Sequence, residues 1–434
     1  MTYPTAHRVP SKIFADLASG GGGTEAARLL AGIQFSKHVL LLRRIVNLAN
    51  STGHEEAAAA THAYDQLAAI QQLSPAAVAD VIRHPAVGAW ASQTVEALSS
   101  SENAAAARPA QMSALAVAAA IRSRSVLSAT VPVSGGEVML PSLGGARATA
   151  GVVRVSPGET TIDDVPLPAD LGVDSHAWKA LRPVTLQARD KSITLVIDDL
   201  DPFRAPGAED VDGRLDQAEV ARWREVWLSG WDLLVSSHPV VADEIAAMIS
   251  VLTPLRAPGG RSVSATARHA FGALMLSAPD DARSLALTMT HEVAHAKLSA
   301  LLDLVPMTVR DDGRRFYAPW RDDPRPASGL LQGAYAFLGV AGFWLRQSEI
   351  SDREAALAEF ARWYGGVRRV VDTLRSSGQL TPAGDEFVAG IDGTLRDWEA
   401  VPVPAATLAK AKLASEEHED TWRRRHGEIP APVS

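Results

Sequence analysis

An abrupt change of texture at Leu127 constrains this chain more than any other feature. Before it, residues 12–126 repeat Ala, Leu, Ile and Val at helical spacing, through 24–50, 55–72 and 104–121. After it, as far as about Asp199, Val, Thr, Gly and Pro dominate in short runs: 129–133, 137–140, 148–155, 184–188 and 193–197. Turn clusters such as Ser134-Gly135-Gly136, Gly144-Gly145 and Ser156-Pro157-Gly158 separate those runs. Helical texture returns near Leu215. The fold expected is α+β: a helical region over residues 1–126, a β-rich module over 127–200, and a zincin-like strand-plus-helix region over 201–434.

Composition narrows the chemistry. The 434 residues carry 42 basic and 50 acidic side chains, a net charge of −8, which argues against a broad nucleic-acid surface. There is no Cys, so thiolate zinc sites, iron–sulfur ligation, disulfides and thiol nucleophiles are excluded. Any metal must be held by imidazole, carboxylate or amide and carbonyl oxygen. No apolar signal segment is read at the N-terminus. The longest apolar run, 329–345, is broken by Gln332 and four glycines, and is read as a buried helix rather than a membrane span. A cytoplasmic protein without membrane contact is the expectation.

The second half of the chain divides into further elements. Trp223, Trp227 and Trp231 fall at i, i+4 and i+8 and predict one core-facing helix stripe over 218–236. A short helix is expected over 241–252, an apolar strand over 269–277 and a long helix over 282–302. A loop rich in Asp, Arg and Pro spans 305–328, followed by helices over 329–346, 355–374 and 405–425. Gly20 to Gly23, ahead of Thr24, has no preceding strand and no Lys-Ser/Thr after it, so it is read as a turn before a capped helix rather than a phosphate loop. Asp198, Asp199 and Asp201 form a cluster after a strand; such clusters can hold Mg2+ or Ca2+, but no phosphate-binding motif accompanies this one. His38, His269 and Lys297 are read as packing or pairing residues.

The sharpest motif is His291-Glu292-Val293-Ala294-His295, inside LALTMTHEVAHAKLSALLDL. Two His four residues apart lie on one helix face, about 6 Å apart along the axis, where both imidazoles can reach one divalent cation. Glu292 sits about 100° further round, beside such an ion. With 12 His in the chain, chance predicts roughly 0.02 occurrences of this pattern. The third ligand is open. Leu298 and Leu301 stand where a metzincin extension has Gly and His. Asp303 is about 12 Å along the helix from His295, too far to share the ion. The next helix offers no acid before Arg346, only Gln332, Tyr335 and the Trp344 nitrogen. Gln332 and Tyr335 are therefore candidates to face a metal or cofactor.

Three stretches, residues 7–46 (HRVPSKIFADLASGGGGTEAARLLAGIQFSKHVLLLRRIV), 291–307 (HEVAHAKLSALLDLVPM) and 318–344 (APWRDDPRPASGLLQGAYAFLGVAGFW), resemble the HExxH-motif peptide-modification proteins of ribosomally made peptide natural-product pathways. The resemblance spans most of the chain. It implies an iron(II)- and 2-oxoglutarate-dependent peptide β-hydroxylase using O2 and a precursor peptide. One position differs: Phe337 stands where some members carry His. Two His plus one further ligand leave room on octahedral iron for cosubstrate and O2. The distal carboxylate of 2-oxoglutarate needs a cation, best a bidentate Arg, and Arg321 or Arg325 of the DPRP loop is the candidate.

Three functions follow. The first is the peptide hydroxylase, with His291 and His295 holding Fe(II), Glu292 positioning water or substrate, and the peptide aligned near the 269–277 strand edge. The second is a zinc metallopeptidase with Glu292 as general base, which the motif alone favours. The third, a peptide-binding scaffold without catalysis, fits least, because both His and the Glu are intact.

Overall fold

The computed structural model describes residues 7–100, 102–207, 214–257 and 262–427. It is an α+β structure, 58% helical with several small sheets. The chain forms two compact units interleaved in sequence. One comprises the described parts of Met1–His7, Ala31–Glu225 and Met248–Pro279; the other comprises Arg8–Leu30, Val226–Ala247 and Asp280–Ser434. These units cut across the three sequence segments read above.

In the first unit, helices and strands share one core. The helix Met112–Ser123 (MSALAVAAAIRS) is buried almost all round, and its small Ala side chains let strands Leu127–Thr130, Glu137–Leu140 and Val152–Ser156 approach it. Trp90, Leu115, Val138, Val153 and Trp178 belong to the same apolar cluster. The expected helix over 104–121 breaks instead at Pro109, with two short 3-10 turns before Met112. The expected strand over 148–155 forms only from Val152, as Val152–Ser156, and the expected turn cluster Gly144-Gly145 instead opens a strand of its own, Gly144–Arg147. Between them, the amides of Thr149, Ala150 and Val152 donate to the Asp163 carboxylate at 2.7, 3.0 and 2.8 Å. Those amides hold Asp163 well below the usual carboxylate range.

The largest sheet of this unit has five strands in the order Ser264–Ala265, Ala273–Leu276, Val251–Pro254, Lys191–Ile197, Arg182–Ala188. Its hairpin pairs Arg182 with Ile197 through Ala188 with Lys191. Val184, Leu186, Ile193 and Leu195 point inward while Thr185, Gln187 and Thr194 alternate outward, the period of two that a half-buried strand requires. Two expectations are corrected here. The helix expected over 241–252 ends at Met248, and Val251–Pro254 is a fully buried strand running parallel to both neighbours. A short apolar run without polar alternation fits a buried parallel strand as well as a helix end. The 269–277 segment contributes only Ala273–Leu276, paired along its length with Val251–Pro254 and, at Met275 and Leu276, with Ser264–Ala265.

The second unit is helical. Helix Ala282–Leu302 is capped by Asp281, whose carboxylate accepts from the amides of Arg283 and Ser284 at 2.8 and 3.0 Å. It packs on helix Ala327–Ile350, which packs in turn on Arg353–Ser376. Ser11–Ala18 and Pro382–Asp397 pack on each other, and Ala405–His426 lies against Arg353–Ser376. Helix Ala327–Ile350 exceeds its expected length and is long and apolar enough to cross a membrane by length and composition; about half of that stretch is buried in this unit. The Trp stripe is buried as expected.

Candidate metal centre

Helices Ala282–Leu302 and Ala327–Ile350 bring His291, His295 and Gln332 together. The Nε2 atoms of His291 and His295 lie 3.1 Å apart, their rings edge to face at 4.7 Å. Two metal–nitrogen bonds of about 2.0–2.1 Å at a tetrahedral angle hold their nitrogens about 3.3 Å apart, so the pair is spaced to share one cation. Gln332 Oε1 accepts from His295 Nδ1 at 3.1 Å. The Gln332 amide group is itself oriented by donating from Nε2 to Ser299 Oγ at 3.2 Å. A neutral His295 with its proton on Nδ1 therefore turns its Nε2 lone pair toward His291. This is how a residue behind a metal ligand fixes the ligand's tautomer. Gln332 is placed behind His295, not as a third ligand.

The His291 side is closed by aromatic rings. Phe337 lies edge to face with His291 at 5.0 Å and is stacked between Trp320, at 4.7 Å, and Trp363, at 4.4 Å. The position at which a His occurs in the resembled family thus does face His291, but here it contributes an apolar wall. Gly333 makes that wall possible: a Cβ there would meet the Trp320 indole at 2.4 Å. The far side of Trp363 carries the Arg362 guanidinium, 4.5 Å from the ring. Burial in this setting, with His295 beside it, pushes His291 down to about 3. Its ring is neutral at physiological pH, as a metal ligand must be.

The remaining predicted residues fall in three places. Glu292 is buried next to the pair and has a partner within the fold. Among the described residues no third His, Asp or Glu joins the two imidazoles in a metal-sized cluster. Arg321 and Arg325 both bind Asp323, Nε to Oδ1 at 2.7 Å and Nη1 to Oδ2 at 3.0 Å. Arg321 holds Asp323 below the usual carboxylate range, with Arg325 assisting. The two guanidiniums expected to receive a cosubstrate carboxylate are thus engaged with a carboxylate of their own loop. Tyr335 belongs to a different cluster, with its ring centroid 5.6 Å from the Lys297 ammonium. Burial raises its phenol. His269 is exposed in a turn of the first unit, ahead of strand Ala273–Leu276. Sequence reasoning missed Ser299, Trp320 and Trp363 as parts of the site. No signal marks Ser299 or Trp363, because each is identified by a neighbour on another helix.

Lys297 is the counterpoint on the same helix. It is 2% exposed and donates to Glu244 Oε1 and Oε2 at 2.9 and 2.8 Å, and to the carbonyls of Gly20 and Gly21 at 3.1 and 3.0 Å. Glu244 accepts in addition from the Gly23 amide at 3.0 Å. The glycine run is therefore a turn tied down by a buried ion pair, not an anion site. A cavity of about 320 Å3 lies along this face of the helix, lined by His238, Thr290, Val293, Lys297, Leu338 and Phe343.

No model of a known protein family matches the chain, and no curated protein matches it.

Proposed function

We propose that the second unit carries a mononuclear metal centre on His291 and His295, and that the protein uses it to oxidise a peptide with 2-oxoglutarate and O2. The observation that carries the metal assignment is the 3.1 Å separation of two Nε2 atoms, one of them oriented from behind by Gln332. The 2-oxoglutarate and peptide assignments rest on the resemblance of residues 7–46, 291–307 and 318–344 to HExxH peptide hydroxylases. Bound iron would supply redox chemistry and open coordination positions for small oxygen ligands. The protein's own part is to hold two imidazoles on one helix face, to keep water from the His291 side with the Phe337 stack, and to place Glu292 beside the centre. The overall reaction converts a peptide C–H bond, O2 and 2-oxoglutarate into C–OH, succinate and CO2.

One observation favours a second reading. Because Asp323 engages one nitrogen of each of Arg321 and Arg325, a 2-oxoglutarate carboxylate bound at that loop would share those guanidiniums with it. A zinc peptidase with Glu292 as general base makes no such demand on them. The two readings separate in one assay. Protein loaded anaerobically with Fe(II) is incubated with a precursor peptide encoded beside its gene, 2-oxoglutarate and O2. A product heavier by 16 Da, formed with one succinate and absent without 2-oxoglutarate, is the expected result. Peptide cleavage independent of 2-oxoglutarate would overturn the oxygenase reading. His291→Ala and His295→Ala each abolish the reaction; full activity in either variant refutes the site.

A further inference from the structure

We propose that His84, Asp198 and Asp201, in the first unit, form a second, structural site for a first-row divalent transition-metal ion. His84 is the residue before helix Pro85–Leu98, and the two aspartates lie in the turn that leaves strand Lys191–Ile197. One donor atom from each of the three residues lies within 4.8 Å of the others, with His84 Nε2 3.7 Å from Asp198 Oδ2. All three are deeply buried, at 5%, 0% and 2% exposure.

What marks the cluster as a ligand site is its open valences. Among the described residues neither His84 ring nitrogen has a hydrogen-bond partner, and neither does Asp198 Oδ2. Buried polar atoms left unpaired carry their full desolvation penalty, larger still when charged. The other Asp198 oxygen is satisfied, accepting from the amides of Leu200 and Asp201 at 3.1 and 2.9 Å. Asp201 Oδ1 accepts from the Phe203 amide at 2.9 Å. These turn bonds fix both carboxylates while leaving Asp198 Oδ2 turned toward His84. Asp199, between them, is committed elsewhere: it binds Arg182, Arg214 and the Leu215 amide. Arg204 donates to the Asp201 carbonyl at 2.7 Å, so it anchors the turn through the backbone.

Bonds of about 2.0–2.2 Å bring neighbouring donors to about 3.0–3.4 Å, so the site closes with about an ångström of side-chain movement. One imidazole and two carboxylates are too few oxygens for Ca2+, which takes six to eight, and imidazole selects Zn2+ or its neighbours over Mg2+. Complete burial makes the ion a clamp between a helix start and a strand end.

The test uses Zn2+ and the full chain. In the His291→Ala/His295→Ala variant, calorimetric titration should still show one Zn2+ per chain, with a raised melting temperature that Mg2+ does not produce. Adding Asp201→Asn, nearly isosteric, should remove both. If the double-His variant does not fold, the comparison is made in the native chain, where Asp201→Asn should remove one Zn2+ equivalent. Absence of Zn2+ binding in the double-His variant, or binding that survives Asp201→Asn, overturns the proposal and leaves the cluster as a proton-sharing trio.

Discussion

Two polar arrays project from opposite faces of helix Ala282–Leu302, and they follow different rules. On one face, the Lys297 ammonium meets the Glu244 carboxylate and two carbonyls, and the spare Glu244 capacity is taken by a backbone amide. The ion pair itself is satisfied and holds the Gly20-Gly21 turn in place, while the buried Tyr335 hydroxyl in the same cluster has no hydrogen-bond partner among the described residues. On the other face, His291 and His295 aim nitrogens at each other with no carboxylate joining them among the described residues. Their supporting residues orient the rings without consuming the inward-facing atoms. The satisfied ion pair marks the first array as structure; directed incompleteness is what the proposed ligand site on the second rests on.

The contrast can be broken by substitution. The largest effect belongs to the closed array. Lys297→Met leaves Glu244 buried and unpaired and should cost about 3–5 kcal/mol in denaturant unfolding, whereas adding Glu244→Gln should recover part of the loss. A cost below about 1 kcal/mol would show that the pair is not a buried structural element.

His238, on the cavity beside this array, gives the next test. Burial, with Arg346 assisting, lowers it to about 4, and its Nε2 accepts from Gln347 at 3.0 Å. An unfolded His takes up its proton near pH 6.5. The stability this neutral ring contributes is therefore present above about pH 6.5 and is lost as pH falls toward 4, by about 3 kcal/mol at most. His238→Phe should flatten the unfolding free energy across that window, and an unchanged slope would remove His238 as its source.

Gly333→Ala should cost about 1–3 kcal/mol by driving Trp320 off Phe337, read as a lower melting temperature and a shifted Trp emission. The smallest effect on stability is expected behind the open array. Gln332→Leu should leave the melting temperature nearly unchanged while weakening metal affinity about 10–100-fold. An equal loss in both would make Gln332 an ordinary packing residue.

Much of the second unit was legible because its signals are local. The HExxH spacing and the 282–302 periodicity both act within a turn or two of helix. The β-rich module was legible as texture, but its strand limits were not. Asp163 binds amides 11 to 14 residues earlier in the chain, and those bonds keep the first residues of one expected strand out of the sheet. Val251–Pro254 carries no period because both of its faces are buried. At the site, the His pair could be read from spacing alone. Gln332 was singled out as a residue that could face a metal or cofactor, but only the inter-helix geometry shows that it meets His295 Nδ1. The Asp198–Asp201 cluster was visible in sequence, yet its His84 partner lies more than a hundred residues away with no motif to connect them.

The central claim is that His291 and His295 hold one metal ion. It is tested most directly by Co2+ titration of the Asp201→Asn chain, in which only the HExxH site should bind. The prediction is one Co2+ per chain, abolished by either His291→Ala or His295→Ala. A chain that binds no Co2+, or one that binds it equally well after both substitutions, would contradict the account.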